Sequence, residues 1–191
     1  MVFATDRLVV RLAELRDAAR FHRLWSDSRV MTNVGFPRGL GTTLEEIQQR
    51  LSRLGNDPLD QLLSVVLNEN GEWIGECRLG TPDETGTSRT DVKLLPTAWG
   101  HRYGIEVKRG LLEYLFTRTG CHRVEAGPNV GNIASIRMQE AVGGRPVGEG
   151  HHDSPESLGA ITTPVHCVIY RVTREAWARG ECGDAFGYRA P

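Results

Sequence analysis

Apolar residues recur along the chain with two periods, and the switches between them outline the elements. Residues 6–12 place Leu and Val between charged ends and predict a first strand. Asp17 stands where it can cap a helix whose apolar face is Ala18, Phe21, Leu24 and Trp25. Residues 35–39 break the pattern. Thr43 and Glu46 then have the spacing of a capping box, and Leu44, Ile47, Leu51 and Leu54 follow at helical spacing until residues 55–58 close the helix. Two strand-like runs, 62–67 and 73–79, are joined through Asn70-Gly71, a hairpin signal because both residues tolerate positive φ. Residues 81–90 are polar and turn-rich, and 91–95 form a third run that stops at Pro96.

Val107, Leu111, Leu112, Leu115 and Phe116 lie on one stripe of a helix predicted over 105–119. Gly110 inside it costs about 1 kcal/mol relative to alanine. Residues 122–126 read as a strand. Asn132 can cap a helix carrying Ile133, Ile136 and Ala141, which Gly143-Gly144 ends. No period runs through 144–164, which reads as a long loop of the functional kind. A last strand spans 165–172, and the chain past Trp177 is Gly-rich. The order predicts an α/β domain (α+β in its mixed sheet) over 1–178 with helices on both faces and a tail at 179–191. Within it, strand 91–95, helix 105–119 and strand 122–126 form a βαβ crossover, so the two strands should be parallel neighbours.

Composition narrows the function. Among 191 residues, 23 Lys+Arg stand against 24 Asp+Glu. That balance gives no bulk attraction to nucleic acid or to an anionic membrane. No apolar run approaches the ~20 residues that span a bilayer, and Asp6, Arg7 and Arg11 interrupt any signal-peptide core. Cys77, Cys121, Cys167 and Cys182 include no C-x-x-C pair, as expected of free thiols in a reducing cytoplasm. Adjacent His151 and His152 diverge and lack a third spaced ligand, so no metal is expected.

The segment richest in chemistry is 94–106. There a strand ends, a loop with Gly100 and Gly104 follows, and a helix begins. First-turn N–H groups backed by the helix dipole attract anions, and glycines let phosphate oxygens approach the backbone. His101 and Arg102 add donors nearby. The loop is neither a Walker A motif nor a G-x-G-x-x-G fingerprint. By spacing alone it reads equally as a βα turn with glycines for tight packing.

Four segments in this order resemble the GNAT superfamily of N-acetyltransferases, in the branch of ribosomal-protein N-terminal Ser/Ala acetyltransferases. They are the opening strand from Thr5 to Leu12, the loop Trp-Gly-His-Arg-Tyr-Gly after Leu94-Leu95-Pro96, the Asn132-x-x-Ser135-x-Arg137 helix start, and the closing strand with its trailing Trp177. The resemblance covers about residues 5–177 and implies a GNAT-like acyl-CoA N-acyltransferase fold with acetyl-CoA as co-substrate. It also implies roles. Backbone groups of Leu94 and Leu95 would hold the pantetheine arm, and amides from Trp99, Gly100, His101, Arg102, Tyr103 and Gly104 the pyrophosphate. Asn132 would meet the pantetheine or thioester, with Ser135 near the sulfur. Acetyl transfer to an amine then needs a base, for which Asp91 comes first and Glu76 second, each otherwise a solvated strand-edge carboxylate. It also profits from an acid: Ser135, otherwise a hydroxyl bonded into its own helix turn.

Two positions depart from the family pattern. Arg102 replaces a glycine, and is strained if φ is positive there; it either supplies a charge to phosphate or weakens the coenzyme's hold. Gly144 replaces an aromatic. The expected acceptor is a primary amine, on a small molecule or a protein N-terminus, and a homodimer stays open. The competing reading is a CoA-binding or scaffolding module of the same fold with lost catalysis.

Overall fold

The computed structural model describes residues 1–152 and 165–180. In chain order its regular elements are β1 (Phe3–Ala4), β2 (Leu8–Leu12), α1 (Ala18–Ser26), α2 (Ser28–Met31), α3 (Leu44–Leu51), β3 (Leu63–Leu67), β4 (Trp73–Leu79), β5 (Thr87–Leu94), α4 (Tyr103–Arg118), β6 (Arg123–Ala126), α5 (Ile133–Ala141), β7 (Arg145–His152), β8 (Val165–Thr173) and α6 (Arg174–Ala178). The strands form one mixed sheet in the order β1-β2-β3-β4-β5-β6-β8-β7. All neighbours are antiparallel except β5 and β6, which the α4 crossover joins in parallel. No helix among the described residues is long and apolar enough to cross a membrane.

The sheet's two faces carry separate cores. On one face Val107, Leu111, Leu112 and Leu115 of α4 bury against Leu8, Val10, Leu63, Leu79 and Val124. On the other, Phe21, Leu24 and Trp25 of α1 meet Ile47 and Leu51 of α3 over Trp73. Edge-on aromatic contacts of Phe21 with Trp25 and Trp73, at 5.5 and 5.4 Å between centroids, lock α1 to the strands. The glycine inside α4 has a packing reason: a Cβ on Gly110 would lie 2.2 Å from the ring of Phe3, which occupies that space.

Several expectations change. The first strand is a hairpin, β1 with β2, and β5 begins at Thr87 rather than 91, pairing with β6 only through Thr87–Arg89. Asp17 does not cap α1 with its side chain. Its buried carboxylate instead receives Arg11 at 2.6 Å, Arg20 at 2.8 Å, Ser64 at 3.0 Å and the Glu14 amide at 3.0 Å. The predicted loop starts as strand β7, paired along β8 with a register shift between Pro146 and Gly148. At a sheet edge Pro146 breaks no ladder and the glycines are tolerated, so propensity misreads it. Residues 153–164, the rest of that loop, lie outside the described residues, as do Asp153, Cys182 and 181–191 of the tail. Cys77, Cys121 and Cys167 are buried free thiols.

Candidate active site

β5 and β6 lie side by side only at their start. Arg89 opposite Glu125 is the last paired position. From Thr90 to Leu94, β5 stays on β4, while Glu125 and Ala126 of β6 follow β8. The strands therefore part, and the wedge between them opens into a cleft of about 860 Å³, a volume suited to a ligand. Leu94, Trp99, Gly100, Arg102, Tyr103, Gly104, Asn132, Ser135 and Asp91 line it; Leu95, His101 and Glu76 do not.

The N-terminus of α4 forms one wall. Gly100 takes φ 83° and Arg102 φ 62°, and this double reversal points successive amides outward. The N–H groups of Gly100, His101, Tyr103 and Gly104 have no acceptor among the described residues. They sit at the positive end of a 16-residue helix. The start of the helix is braced from the first hairpin. Arg7 pairs with Glu106 at 2.6 Å, donates to the His101 carbonyl oxygen at 3.2 Å and stacks its guanidinium 4.7 Å from the Tyr103 ring. Glu106, acidic in the first turn, suits the dipole and was the available sequence signal for this brace.

Arg102 realises the strained geometry that the sequence allowed for. A non-glycine residue in the left-handed region costs roughly 1–2 kcal/mol. Because the loop already holds that geometry, Arg102→Gly would leave the amides where they are and remove the strain together with the guanidinium and its contacts. The expected outcome is about 1 kcal/mol more stability in denaturant unfolding and about fivefold weaker CoA binding by calorimetry. Tighter binding would mean that the guanidinium obstructs the phosphates instead.

In the strand half of the loop, the Leu95 amide donates to Ile74 at 2.8 Å and its carbonyl accepts from Ala98 at 2.9 Å, and Leu95 stands outside the cleft lining. Leu94 remains on the cleft, though its carbonyl already accepts the Trp99 indole N–H at 2.9 Å, which sets this half-exposed ring at the rim. Asn132 caps α5, its Oδ1 accepting from the Ser135 amide at 3.1 Å, which leaves Nδ2 for a ligand. The Ser135 hydroxyl is not bonded into the helix turn and stays on the cleft wall. Gly144 has its own cause, since a Cβ there would lie 2.7 Å from the Gln139 carbonyl oxygen.

The two candidate carboxylates meet through a lysine. Lys93 pairs with Glu76 at 3.1 Å and with Asp91. Glu76 is buried behind the cleft and accepts the Trp25 indole N–H at 2.9 Å. Asp91 keeps half of its side chain exposed on the cleft wall. Burial opposes its ionisation, but the Lys93 ammonium prevails and holds the carboxyl below its ordinary value. For Lys93, the attraction of Asp91 and Glu76 overcomes burial and raises the ammonium above its own.

The pattern reading missed Lys108. It lies on the buried stripe of α4, three and four residues before Leu111 and Leu112, and a lysine at that phase was the available signal. It is 2% exposed, donates to the Thr90 hydroxyl and lines the cleft. Burial pulls its ammonium down to about 7, with Asp91 acting in the opposite sense.

Comparison with known proteins agrees with this geometry. The family model described as the acetyltransferase (GNAT) domain matches residues 7–145. An uncharacterized N-acetyltransferase, p20, of Bacillus licheniformis is 28% identical over 136 residues, covering 70% of this chain and 76% of that relative. An aminoglycoside N(6')-acetyltransferase type 1 of Klebsiella pneumoniae is 26% identical over 190 residues, covering 92% and 88%. Among solved structures, the spermidine N-acetyltransferase of Vibrio cholerae with CoA and spermine superposes with a TM-score of 0.73 at 15% identity, covering 91% of this chain and 99% of that one.

Proposed function

This chain belongs to the GNAT acetyltransferase family, and from that premise we propose that it transfers the acetyl group of acetyl-CoA directly to a primary amine. The observation that carries the reading is the row of unpaired amides at the start of α4, opening onto the wedge between β5 and β6. Anionic phosphate fits the amides, the dipole and Arg102 at one end. The unpaired edge of β5 beyond Arg89 can take an extended arm like an added strand.

Acetyl-CoA supplies the activated acyl group, and the chain's own residues bind, orient and move protons. Gly100, His101, Tyr103 and Gly104 grip the diphosphate through N–H, and the Nδ2 of Asn132 holds the arm. The acceptor forms its N–C bond as the C–S bond breaks. Starting from an ammonium, two protons leave the nitrogen: one ends on the departing thiolate and one in solvent. Asp91, kept ionised by Lys93, draws the ammonium in and takes a proton from it. Ser135 stands on the cleft wall as the donor to sulfur. Lys108, its ammonium pulled down by burial to about 7, adds a group that can exchange a proton in the cleft. Glu76 positions Lys93 and does not meet the substrate.

Calorimetry with CoA, followed by thiol release from acetyl-CoA over a panel of primary amines, tests the proposal. Expected are one CoA site per chain and turnover with at least one acceptor. CoA bound without turnover on any acceptor would favour the binding-module reading, and absence of CoA binding would overturn both.

A further inference from the structure

The half of the sheet that carries no helix on one face, among the described residues, has an unusual charge pattern. Helices α1 and α3 cover one face only over the strands up to β4 and the end of β5. Beyond that, Arg89 of β5, Glu125 of β6 and Arg171 of β8 stand on the face opposite the buried Val124, Tyr170 and Val172, and it is only toward the far end of β8 that this face is closed, where Val165 and Cys167 are buried. The register then sets one row straight across four strands: Arg89 opposite Glu125, Glu125 opposite Arg171, and Arg171 opposite Arg145. Directly opposed residues point to the same face.

The carboxylates in and around this row are already engaged. Glu125 accepts Arg171 at 2.7 Å, Asp60 pairs with Arg78 at 3.1 Å, and Asp91 pairs with Lys93. Asp83 accepts the amides of Thr85 and Thr87. Arg123 donates to the Thr85 carbonyl oxygen at 3.0 Å. Arg89 and Arg145 are exposed, and their guanidinium groups make no hydrogen bond or ion pair among the described residues. Like charges placed opposite each other, as Arg145 and Arg171 are, weaken a sheet.

Arg89 also stands at the place that matters for the reaction. With Thr90, Asp91 and Glu125 it lines both the donor cleft and a second depression of about 690 Å³ on the outward face. The two cavities thus adjoin at the last paired position of β5 and β6, and an acceptor lying in the second depression would have Arg89 and Asp91 beside it. We propose that this acceptor is an amine that also carries an anionic group, carboxylate or phosphate, received by Arg89 with Arg145 extending the same field. The inference rests on the acetyltransferase reading and narrows its substrate class. A polycation crossing the same face would meet unneutralised guanidinium charge, while its amine would still find Asp91.

Matched acceptors that differ by one charge test this: 4-aminobutyrate against its amide, the dipeptide Glu-Ala against Gln-Ala, 2-aminoethyl phosphate against ethanolamine, and spermine and kanamycin as polycations. The expected result is kcat/KM at least about tenfold higher for the anionic member of at least one pair. Arg89→Gln should collapse that preference mainly through KM, Arg145→Gln should reduce it, and CoA affinity should stay within about twofold in both. Which pair responds separates a small carboxylate, a peptide and a phosphate. Should turnover be undetectable, calorimetry of the same pairs on CoA-saturated protein reads the same preference. Equal use of both members of every pair, faster turnover of the polycations, or a preference that survives Arg89→Gln would overturn the inference while leaving the acetyltransferase reading intact. Failure to bind CoA would instead remove the reading beneath it.

Discussion

Asp91→Asn is expected to lower kcat about 100-fold while leaving the unfolding midpoint nearly unchanged. A positioned base contributes typically 10²–10⁴-fold, and the lower end is apt where a neighbouring lysine holds the carboxyl below its ordinary value. The fold should be indifferent for two reasons. Half of the Asp91 side chain is exposed, and Lys93 keeps its 3.1 Å pair with Glu76 when Asp91 becomes neutral. The isosteric amide also removes the one attraction that holds up the Lys108 ammonium, so Lys108 should titrate lower still. Steady-state kinetics beside denaturant unfolding checks both parts. A kcat within about threefold of the parent would remove Asp91 from the chemistry and turn attention to a bound water.

Asp17→Ala is expected to cost about 3–5 kcal/mol of folding stability, the range for removing one partner of a buried ion pair. The carboxylate is wholly buried and receives both Arg11 nitrogens, at 2.6 and 3.0 Å, together with Arg20 and Ser64. Ser64 in turn accepts the Trp73 indole N–H at 2.9 Å, so the loss would leave a guanidinium, a hydroxyl and an indole to find new partners. Burial by itself would raise the Asp17 carboxyl, but Arg11, the Glu14 amide and Ser64 outweigh it and hold it at about 2, against 3.8 unperturbed. A depressed carboxyl stabilises the fold above its unfolded value. About 2 kcal/mol should therefore be present above about pH 4 and disappear as the pH falls toward 2. Denaturant unfolding followed by Trp fluorescence at pH 7 and along an acid series measures both effects. A loss below about 1 kcal/mol at pH 7 would show that water replaces the carboxylate.

The two sites are mechanically connected. Asp17 fixes the entry to α1. Trp25 of that helix bonds Glu76 at 2.9 Å, and Glu76 pairs with Lys93, which holds Asp91. Loosening α1 should therefore reach the cleft through a chain of polar contacts. For this reason the Asp91 substitution, with its unchanged fold, is the cleaner probe of chemistry.

Much of the architecture was legible because it is written in short-range terms. The α4 stripe, the Thr43 capping box, the Asn132 cap and the hairpin at Asn70-Gly71 each depend on residues within a turn or two. The crossover followed, since a strand, helix and strand of those lengths close in parallel. β7 was not legible: Pro146, Gly148 and Gly150 carry no strand propensity, and only pairing along β8 makes them a strand. Asp17 looked like a helix cap because its partners Arg11, Arg20 and Ser64 come together only when β2, α1 and β3 do.

What the sequence determined by itself is a mixed α/β domain with a glycine-bearing turn before its longest helix, because local periodicity and glycine placement act within a few residues. Tertiary structure alone decided which backbone groups that turn leaves unbonded, that Lys93 joins Glu76 to Asp91, and that Arg89 and Arg145 share one face of the sheet. Strand register settles these matters. A shift of one residue would turn every one of those charges to the other side of the sheet, and nothing in a neighbouring stretch of chain specifies which strand will lie opposite.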